Sequence, residues 1–404
     1  MSGCDKPGLL PVEEALARLM ALAAQAPIAE VEQVPLAEAE GRVLAEPLLA
    51  GLDLPPWDNS AMDGYALRLA DWQSEPLVVS QKIFAGIAPE PLQPGTCARI
   101  FTGAPVPHGA DCVEMQENVE VLEDGRVRFR EALRFGQHIR PQGQETRQGD
   151  QVLPAGTRLG AIELGLAASL GQAMLNVRRK PRVALLSTGD ELVEPGQPLR
   201  TGQIYNSNRA LLKAWLLRSG CEVRDAGILP DDLAKTREVL GSLGGADLIL
   251  TTGGVSVGEA DFLGAALREA GELALWKLAI KPGKPLTLGH YQGTPVIGLP
   301  GNPASTLVTF ALLARPYLLR RLGVDAVTPL RFEVPAGFAW KHAGNRREYL
   351  RARLENGRAL IYPNQSSGVL RSAAWADGLV EVREGRTLEE GETVPFIPLS
   401  EVLL

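Results

Sequence analysis

The chain has 404 residues, which is more than one hydrophobic core usually holds and predicts two to four domains. Its formal net charge of −7 argues against general nucleic-acid binding, which needs a basic face. The sequence has no run near the roughly 18 apolar residues of a membrane span. Its four cysteines are scattered, so they indicate neither a disulfide framework nor a zinc site. Because the first residues lack a signal peptide's basic and apolar stretches, we expect a cytoplasmic protein with no nucleic-acid or membrane partner.

The first part of the chain changes character twice. Residues 11–25 have apolar positions at helical spacing after Pro11 and predict a helix. Residues 54–140 contain short β-type runs separated by proline and glycine. We therefore expect a β-rich domain at 54–140, inserted into an N-terminal linking domain made of residues 1–53 and 141–180.

Residues 181–327 alternate between strand-like and helix-like segments. The expected strands are Val183–Leu186, Glu222–Ile228, Leu248–Thr252, Leu275–Ile280 and Pro295–Leu299. This alternation predicts an α/β domain with a doubly wound, mostly parallel sheet, in which ligands bind at the carboxyl ends of the strands. Residues 328–404 return to strands around the Asn356-Gly357 hairpin signal and indicate a small C-terminal β-barrel or sandwich.

The first expected strand runs into the turn Ser187-Thr188-Gly-Asp190-Glu191. Two carboxylates directly after a buried strand can hold a hard cation such as Mg²⁺ through oxygen ligands. The alternative is a polar turn in which an aspartate caps the backbone.

The third expected strand runs into a glycine-rich turn. Gly253 and Gly254 let a ligand approach the backbone, and Ser256 with nearby free N–H groups favours an anion. Asp261 is either a metal ligand or an acid that stabilises the first turn of the next helix. The run 254–258 also fits the GxSxG pattern of serine hydrolases, a short pattern that often arises by chance.

Three lysines, Lys277, Lys281 and Lys284, fall within eight residues among apolar residues, prolines and a glycine. On one strand, Lys277 and Lys281 would share a face about 13 Å apart, a spacing that suits a long, multiply charged ligand. Protection of a sheet edge by lysine explains the pattern poorly. A helix is expected to begin soon after, with Asn302 as its cap and Pro303 at its first position.

Seven runs together resemble one family. In chain order they are WDNSAMDGYA, FTGAPVP, STGDEL, GQIYNSN, TTGGVSVGEAD, WKLAIKPGKP and GLPGNPAS. These runs are similar to the signatures of the molybdopterin molybdenumtransferases, the family of MoeA and the E domain of gephyrin. The resemblance implies a homodimer of four-domain subunits with a C-terminal β-barrel. It also implies a transferase that inserts molybdate into adenylylated molybdopterin and releases AMP in a Mg²⁺-dependent step.

The resemblance assigns roles to individual residues. The implied catalytic residues are Asp63, Thr102, Glu191, Asp231, Asp261, Lys277 and Lys281. The implied metal ligands are Asp190, Glu191 and Asp261. The implied substrate-binding residues are Ser187, Thr188, Gly253, Gly254, Ser256, Lys284, Pro300, Pro303, Arg351, Ser367 and Glu145. Since the inserted domain of this family faces the α/β domain of the other subunit, the active site is expected to be shared across the dimer.

One stretch departs from the family pattern. The family usually has Arg-Gly-Glu-Asp where this chain has Gln142-Gly-Gln144-Glu145, so the functional carboxylate would be that of Glu145, one methylene longer.

Two alternatives to the transferase stay open at this point. One is a molybdopterin adenylyltransferase, and the other is a scaffold that binds molybdopterin without turnover. Other molybdenum-cofactor enzymes are expected as further partners.

Overall fold

The N-terminal part begins with one amphipathic helix and two short strands. The computed structural model describes residues 8–229, 232–253, 262–270 and 273–403. The helix is α1 (Val12–Gln25), and the strands are β1 (Val31–Pro35) and β2 (Leu48–Leu49). The face of α1 with Ala15, Leu19 and Ala23 is buried against the α/β part of the molecule. The predicted N-terminal helix is therefore confirmed.

Residues 54–140 are built from short strands. They are β3 (Asn59–Ser60), β4 (Gly64–Leu67), β5 (Val78–Ile83), β6 (Thr96–Ile100), β7 (Cys112–Met115), β8 (Val119–Val121), β9 (Val127–Phe129) and β10 (Ile139–Arg140). The main sheet has the order β5-β6-β4-β7, and every residue of β4 is buried. Strands β8 and β9 form an antiparallel hairpin, and β3 pairs with β10 near the two ends of this β-rich part.

The chain then returns to the N-terminal strands. The next elements are β11 (Gln151–Leu153), α2 (Ala161–Ser169) and β12 (Met174–Arg178). Strand β12 pairs antiparallel with β1, and β11 pairs with β2. The residues on the two sides of the β-rich part thus share one small core, which includes Leu48, Leu159 and Leu175.

A six-stranded sheet with flanking helices follows. Its segment of the chain comprises β13 (Arg182–Thr188), β14 (Leu192–Val193), β15 (Ile204–Tyr205), α3 (Ser207–Arg218), β16 (Glu222–Leu229), α4 (Leu233–Ser242), β17 (Leu248–Thr252), α5 (Phe262–Ala270), β18 (Leu273–Lys277), β19 (Ile280–Lys281), β20 (Pro285–Tyr291), β21 (Thr294–Leu299), α6 (Pro303–Thr309), a π-helical segment (Phe310–Ala314) and α7 (Arg315–Arg321). The sheet order is β16-β13-β17-β21-β20-β18.

The first four strands in that order are parallel, whereas β20 and β18 are each antiparallel to the preceding neighbour. Alternate residues of β13 serve two cores. Val183 and Leu185 pack with α1, α3 and the α6–α7 region, while Ala184 and Leu186 pack with α4 and α5. Helices therefore cover both faces of the sheet. The antiparallel strand β20 was not predicted.

The segment that contains the three lysines divides between two sheets. Strand β18 ends at Lys277, and Leu278 then bridges to Leu10. Ile280 and Lys281 form β19, which pairs in parallel with the C-terminal part of the chain. The prediction of one strand over Leu275–Ile280 is therefore wrong, because the backbone changes its hydrogen-bonding partners after Lys277. Lys277 and Lys281 consequently do not share the face of one strand.

The C-terminal part contains β22 (Phe332–Pro335), β23 (Arg347–Glu355), β24 (Arg358–Ile361), α8 (Arg371–Trp375), β25 (Gly378–Val382), β26 (Thr393–Pro398) and α9 (Leu399–Leu403). Its sheet has the order β19-β23-β25-β26-β22, with β24 also on β23. The predicted hairpin at Asn356-Gly357 is confirmed, and both residues have positive φ, of 51° and 74°, as a tight hairpin turn requires. Among the described residues, no helix is long and apolar enough to cross a membrane.

Candidate active site

A cavity of about 520 Å³ opens at the carboxyl ends of the parallel strands. The ends of β13 and β17, the start of α3 and the turn before α6 all reach it. Its lining residues are Thr188, Glu191, Leu192, Ile204, Tyr205, Asn206, Ser207, Asn208, Thr252, Gly253, Gly301, Asn302, Pro303 and Gly368. This is the edge of an α/β sheet at which ligands usually bind. Of the predicted site residues, Thr188, Glu191, Gly253 and Pro303 are brought together here.

Buried polar atoms that lack hydrogen-bond partners among the described residues cluster at and next to this cavity. Three belong to lining residues, namely Thr188 Oγ1, Asn206 Nδ2 and Asn208 Oδ1, and two belong to residues that directly precede lining residues on β13 and β17, namely Ser187 Oγ and Thr251 Oγ1. Buried polar groups are normally paired, and an unpaired one costs about 1–3 kcal/mol. Five such atoms at one sheet edge therefore indicate that this part of the molecule is arranged for a polar ligand rather than for stability.

The two asparagines are held so that one presents a donor and the other an acceptor. Asn206 Oδ1 accepts a hydrogen bond from the N–H of Arg209 at 3.2 Å, while its amide nitrogen has no partner among the described residues. Asn208 Nδ2 donates to the carbonyl of Gly301 at 2.6 Å, while its amide oxygen has no partner in the described ranges. Sequence reasoning assigned neither asparagine to the site. Their one signal was the run GQIYNSN, which served only for the family resemblance.

Two glycines shape the acidic side of the cavity. Gly253 has φ +81°, and a Cβ there would lie 2.4 Å from the carbonyl oxygen of Thr188, so only glycine lets the ends of β13 and β17 approach so closely. At Gly189, φ is +139° and a Cβ would lie 2.4 Å from Glu191 Oε2. The carboxylate of Glu191 thus folds back over its own turn, beside the cavity.

The predicted metal site is only partly described. Asp190 and Glu191 offer oxygen ligands, which is the donor type that Mg²⁺ prefers. Within the described ranges there is no group of three metal-binding side chains. The third predicted ligand, Asp261, lies outside those ranges, as do the predicted site residues Asp231, Gly254 and Ser256.

None of the three predicted lysines is among the described residues that line the cavity. Lys281 forms an ion pair with Glu348, with 3.0 Å between Nζ and Oε2, and its ammonium lies 6.0 Å from the centre of the Trp340 ring. Lys277 and Lys284 are exposed, and neither has an ion-pair partner in the described part of the chain. By register, Lys277 is level with Pro285, so it ends its strand at the same edge of the sheet as Leu299 and Pro300.

The C-terminal part reaches the cavity through the residues after β24. Ser367 accepts a hydrogen bond from the side-chain amide of Asn302 at 3.0 Å, and Gly368 belongs to the cavity wall. Pro300 contributes its carbonyl, which accepts from the hydroxyl of Thr306 at 2.7 Å. Arg351 lies deeper and is only 1% exposed. Its guanidinium donates hydrogen bonds to Ser372, Tyr349 and Ser366, none of which lines the cavity.

Asp63 and Thr102, two of the predicted site residues, contact each other directly. Asp63 Oδ1 accepts hydrogen bonds from the backbone N–H and the hydroxyl of Thr102, each at 2.8 Å. These two bonds lower the pKa of Asp63 and keep it charged. The pair lies in the β-rich part and does not line the cavity of its own chain. Glu145 is exposed, and its N–H donates to the carbonyl of Leu54 at 2.8 Å.

Family models match the chain along most of its length. Residues 10–171 match the MoeA N-terminal region (domain I and II), and residues 184–320 match a probable molybdopterin binding domain. Residues 333–399 match the MoeA C-terminal region (domain IV).

Named relatives and solved structures agree. A molybdopterin molybdenumtransferase from Haemophilus influenzae is 41% identical over 384 residues, which cover 93% of this chain and 95% of the relative. The molybdopterin molybdenumtransferase 2 of Mycobacterium tuberculosis is 39% identical over 87% of this chain and 90% of its own. The crystal structure of a molybdopterin biosynthesis MoeA protein from Pyrococcus horikoshii superposes with a TM-score of 0.84 at 29% identity, over 97% of this chain and 100% of that one. The chain therefore belongs to the molybdopterin molybdenumtransferase family, as the ordered motifs predicted.

Proposed function

We propose that this protein is the transferase that inserts molybdate into adenylylated molybdopterin and releases AMP, within molybdenum cofactor biosynthesis. The observation that carries the proposal is the set of unpaired buried hydroxyl and amide groups around the cavity at the carboxyl ends of the parallel strands. A pterin nucleotide is rich in phosphate oxygens and ring heteroatoms, so it can satisfy donors and acceptors of this kind.

The residues divide the work by their chemistry. The hydroxyls of Ser187, Thr188 and Thr251 and the free amide atoms of Asn206 and Asn208 bind and orient the substrate. Gly253 lines the cavity without a side chain, so the phosphoanhydride can lie against its backbone. Positioning and charge neutralisation then carry most of the rate, as in other phosphoryl-group reactions.

Asp190 and Glu191 would hold the Mg²⁺, with Asp261 as the third ligand implied by the family resemblance. The ion fits the donor set that is described, because both side chains supply oxygen ligands directly after a buried strand. When bound, Mg²⁺ supplies positive charge to the phosphoanhydride. Lys277 and Lys284 supply further positive charge at the same edge of the sheet, and Lys281 supplies it from the C-terminal sheet.

We infer that the working unit is a cytoplasmic homodimer and that Asp63 and Thr102 complete the site of the other subunit. Their mutual hydrogen bonds keep a charged aspartate at a fixed place in the β-rich part, yet the pair does not line its own chain's cavity. A second copy would bring it there. We also propose that Glu145 takes part in substrate binding and that other molybdenum-cofactor enzymes are partners of this protein.

The finer domain assignments belong to the proposal as well. We assign a doubly wound domain to 181–327, a β-rich insert to 54–140, a linking domain to 1–53 with 141–180, and a barrel to 328–404. The coverage of both sheet faces supports the first assignment. A bridge between Ala336 and Ala359 supports the barrel, because it joins the end of β22 to β24.

The test is AMP release by the purified protein. With adenylylated molybdopterin, molybdate and Mg²⁺, chromatography should detect AMP, and omission of Mg²⁺ should suppress it. Glu191→Gln should reduce the rate strongly, while Glu123→Gln, on the exposed β8–β9 turn, should match the wild type. Tight substrate binding without AMP release would instead support the scaffold alternative. ATP consumption with unmodified molybdopterin would support the adenylyltransferase.

A further inference from the structure

The side-chain amide of Gln365 makes the hydrogen bonds to the Arg351 backbone that a neighbouring strand would otherwise make. Its Oε1 accepts a hydrogen bond from the backbone N–H of Arg351, and its Nε2 donates to the carbonyls of Arg351 and Tyr362, each at 2.9 Å. One side-chain amide thus both accepts from and donates to a single strand residue, which is what a neighbouring β-strand does. It does so where β24 has ended at Ile361 and the chain turns away from β23.

The side chain of Arg351 also binds the segment that contains Gln365, which comprises residues 364–368. Its guanidinium donates to the carbonyl of Ser366 at 3.1 Å and to the hydroxyl of Ser372 at 3.0 Å. No carboxylate pairs with it in the described part of the chain, and burial lowers the pKa of Arg351 to about 10. The side chain is therefore still charged at neutral pH. Its hydrogen bonds go to Ser366 in the segment 364–368, to Ser372 on α8 and, at 3.4 Å, to the carbonyl of Tyr349 on its own strand.

The far end of this segment meets the cavity. The carbonyl of Ser367 accepts a hydrogen bond from the N–H of Ala304 at 2.9 Å, and the hydroxyl of Ser367 accepts from Asn302 at 3.0 Å. The side chain of Asn302 makes no capping bond to the helix that it precedes. Ser367, from the C-terminal part of the chain, satisfies a first-turn N–H of α6 in its place, and the next residue, Gly368, lines the cavity.

We propose that Gln365 is a positioning residue of this active site: with Arg351, it fixes residues 364–368 so that Ser367 docks on α6 and Gly368 forms the cavity wall. The inference deepens the proposed function and rests on it for the kinetic part of its test. It also gives Arg351 a different task from the substrate contact that the family resemblance implied, because the guanidinium acts on the substrate only through the segment it holds.

Two substitutions at Gln365 separate the hydrogen bonds. Gln365→Met keeps the length of the side chain but removes all three bonds, whereas Gln365→Glu keeps the acceptor for Arg351 N–H and loses both donated bonds. Arg358→Ala is the matched control, since Arg358 lies on β24 and its one ion-pair partner in the described part of the chain is the exposed Glu390. The primary readout is hydrogen exchange of peptides that contain the Ala304 amide. The second is the KM and kcat for AMP release.

In Gln365→Met, the Ala304 amide should exchange roughly tenfold faster or more, and KM should rise roughly tenfold while kcat changes little. Gln365→Glu should have at least as large an effect, because a carboxylate oxygen would face the carbonyls of Arg351 and Tyr362, and Arg358→Ala should match the wild type. Unchanged exchange at Ala304 with unchanged KM would overturn the inference. So would a general loss of thermal stability in which kcat falls and KM stays constant. If the wild type releases no AMP, the proposed function fails, and the exchange measurement still decides the role of Gln365.

Discussion

Lys281 and Glu348 lie side by side on two parallel strands and form an ion pair, with 3.0 Å between Nζ and Oε2. The pair is asymmetric, because the Lys281 side chain is 44% exposed while that of Glu348 is 6% exposed. Trp340 lies beneath the ammonium. The lysine is thus fixed by the C-terminal sheet, although its sequence neighbours belong to the α/β sheet.

This asymmetry predicts unequal effects of removing either partner. Lys281→Met leaves the buried Glu348 carboxylate without its ion-pair partner and should destabilise the protein by about 1–3 kcal/mol. Glu348→Gln leaves a lysine that water can solvate and should cost less stability. Both variants should slow AMP release. Urea unfolding checks the order, with Lys284→Met as the control, since that exposed lysine has no ion-pair partner among the described residues. Equal destabilisation by the two variants would contradict the argument.

The buried hydroxyl of Thr251 predicts a change that helps stability and harms function. Thr251 is fully buried and its Oγ1 has no partner among the described residues, so Thr251→Val should be neutral or stabilising by up to about 1 kcal/mol in the free protein. If the hydroxyl binds substrate, the same change raises KM. Thr236→Val is the matched control, because the Thr236 hydroxyl is buried but donates to the carbonyl of Asp232 at 2.8 Å.

The control should cost about 1 kcal/mol and leave KM unchanged. Thermal unfolding of both variants, with and without substrate, makes the comparison. A destabilised Thr251→Val with normal KM would mean that the hydroxyl has a structural partner.

The hydrogen bonds to Asp63 predict a shift in the pH profile. The backbone N–H and the hydroxyl of Thr102 lower the pKa of Asp63. Thr102→Val removes the hydroxyl donor and keeps the N–H, so the pKa of Asp63 should rise towards its ordinary value. The carboxylate then becomes protonated at higher pH, and the acid limb of AMP release should move to higher pH. Thr96→Val, in β6 of the same sheet, should leave the limb in place. An unmoved limb in Thr102→Val would exclude Asp63 as the group that sets it.

The hydrogen bonds and ion pairs of Asp247 predict a contribution to the free energy of unfolding that is lost at acid pH. Its carboxylate accepts from both terminal nitrogens of Arg179, at 2.9 and 3.1 Å, and from the N–H of Arg182 at 2.7 Å. Burial by itself raises the pKa of Asp247, but the bonds from Arg179 and Arg182 outweigh it and lower the pKa overall. Because the folded-state pKa is the lower one, the stabilisation is full above about pH 5 and disappears as pH falls through the folded-state value.

Asp247→Asn should therefore cost about 3 kcal/mol at pH 7, and its difference from the wild type should shrink below about pH 4. Glu222→Gln is the control, since the pair of Glu222 with Arg182 is more than half exposed on both sides. Urea unfolding at several pH values gives both curves. A difference that stays constant down to the acid transition would show that Asp247 contributes by packing and not by charge.

Local patterns predicted much of the fold. The hairpin at Asn356-Gly357 was foreseen from the residue types, and both residues have the positive φ that its turn requires. The parallel strands were foreseen from their apolar runs. Strand β20 was missed because Pro285 opens it and its pairing with β18 and β21 is a long-range property. The division of the lysine segment was missed for the same reason, since the partners of Ile280 and Lys281 lie more than sixty residues further on.

The candidate site was foreseen in part. The acidic turn at Glu191 and the glycine at Gly253 were predicted, because strand ends and turn residues are local signals. Asn208 and Gln365 were not, because what marks them is an atom left without a partner or a side chain that replaces a strand, and both depend on the folded surroundings. Asp63 and Thr102 were assigned to the site only through the family resemblance, which gave no indication of the hydrogen bonds between them.

The division of the lysine segment between two sheets has a consequence for the growing chain. A ribosome that has just made Lys281 must still add the residues up to Arg347 and Glu348 before β19 has its partner strand. During that interval the α/β sheet can close through β18, β20 and β21 while Lys281 has no fixed position. The ion pair of Lys281 with Glu348 can therefore form only after synthesis has passed residue 348, when every strand of the α/β sheet has already been made.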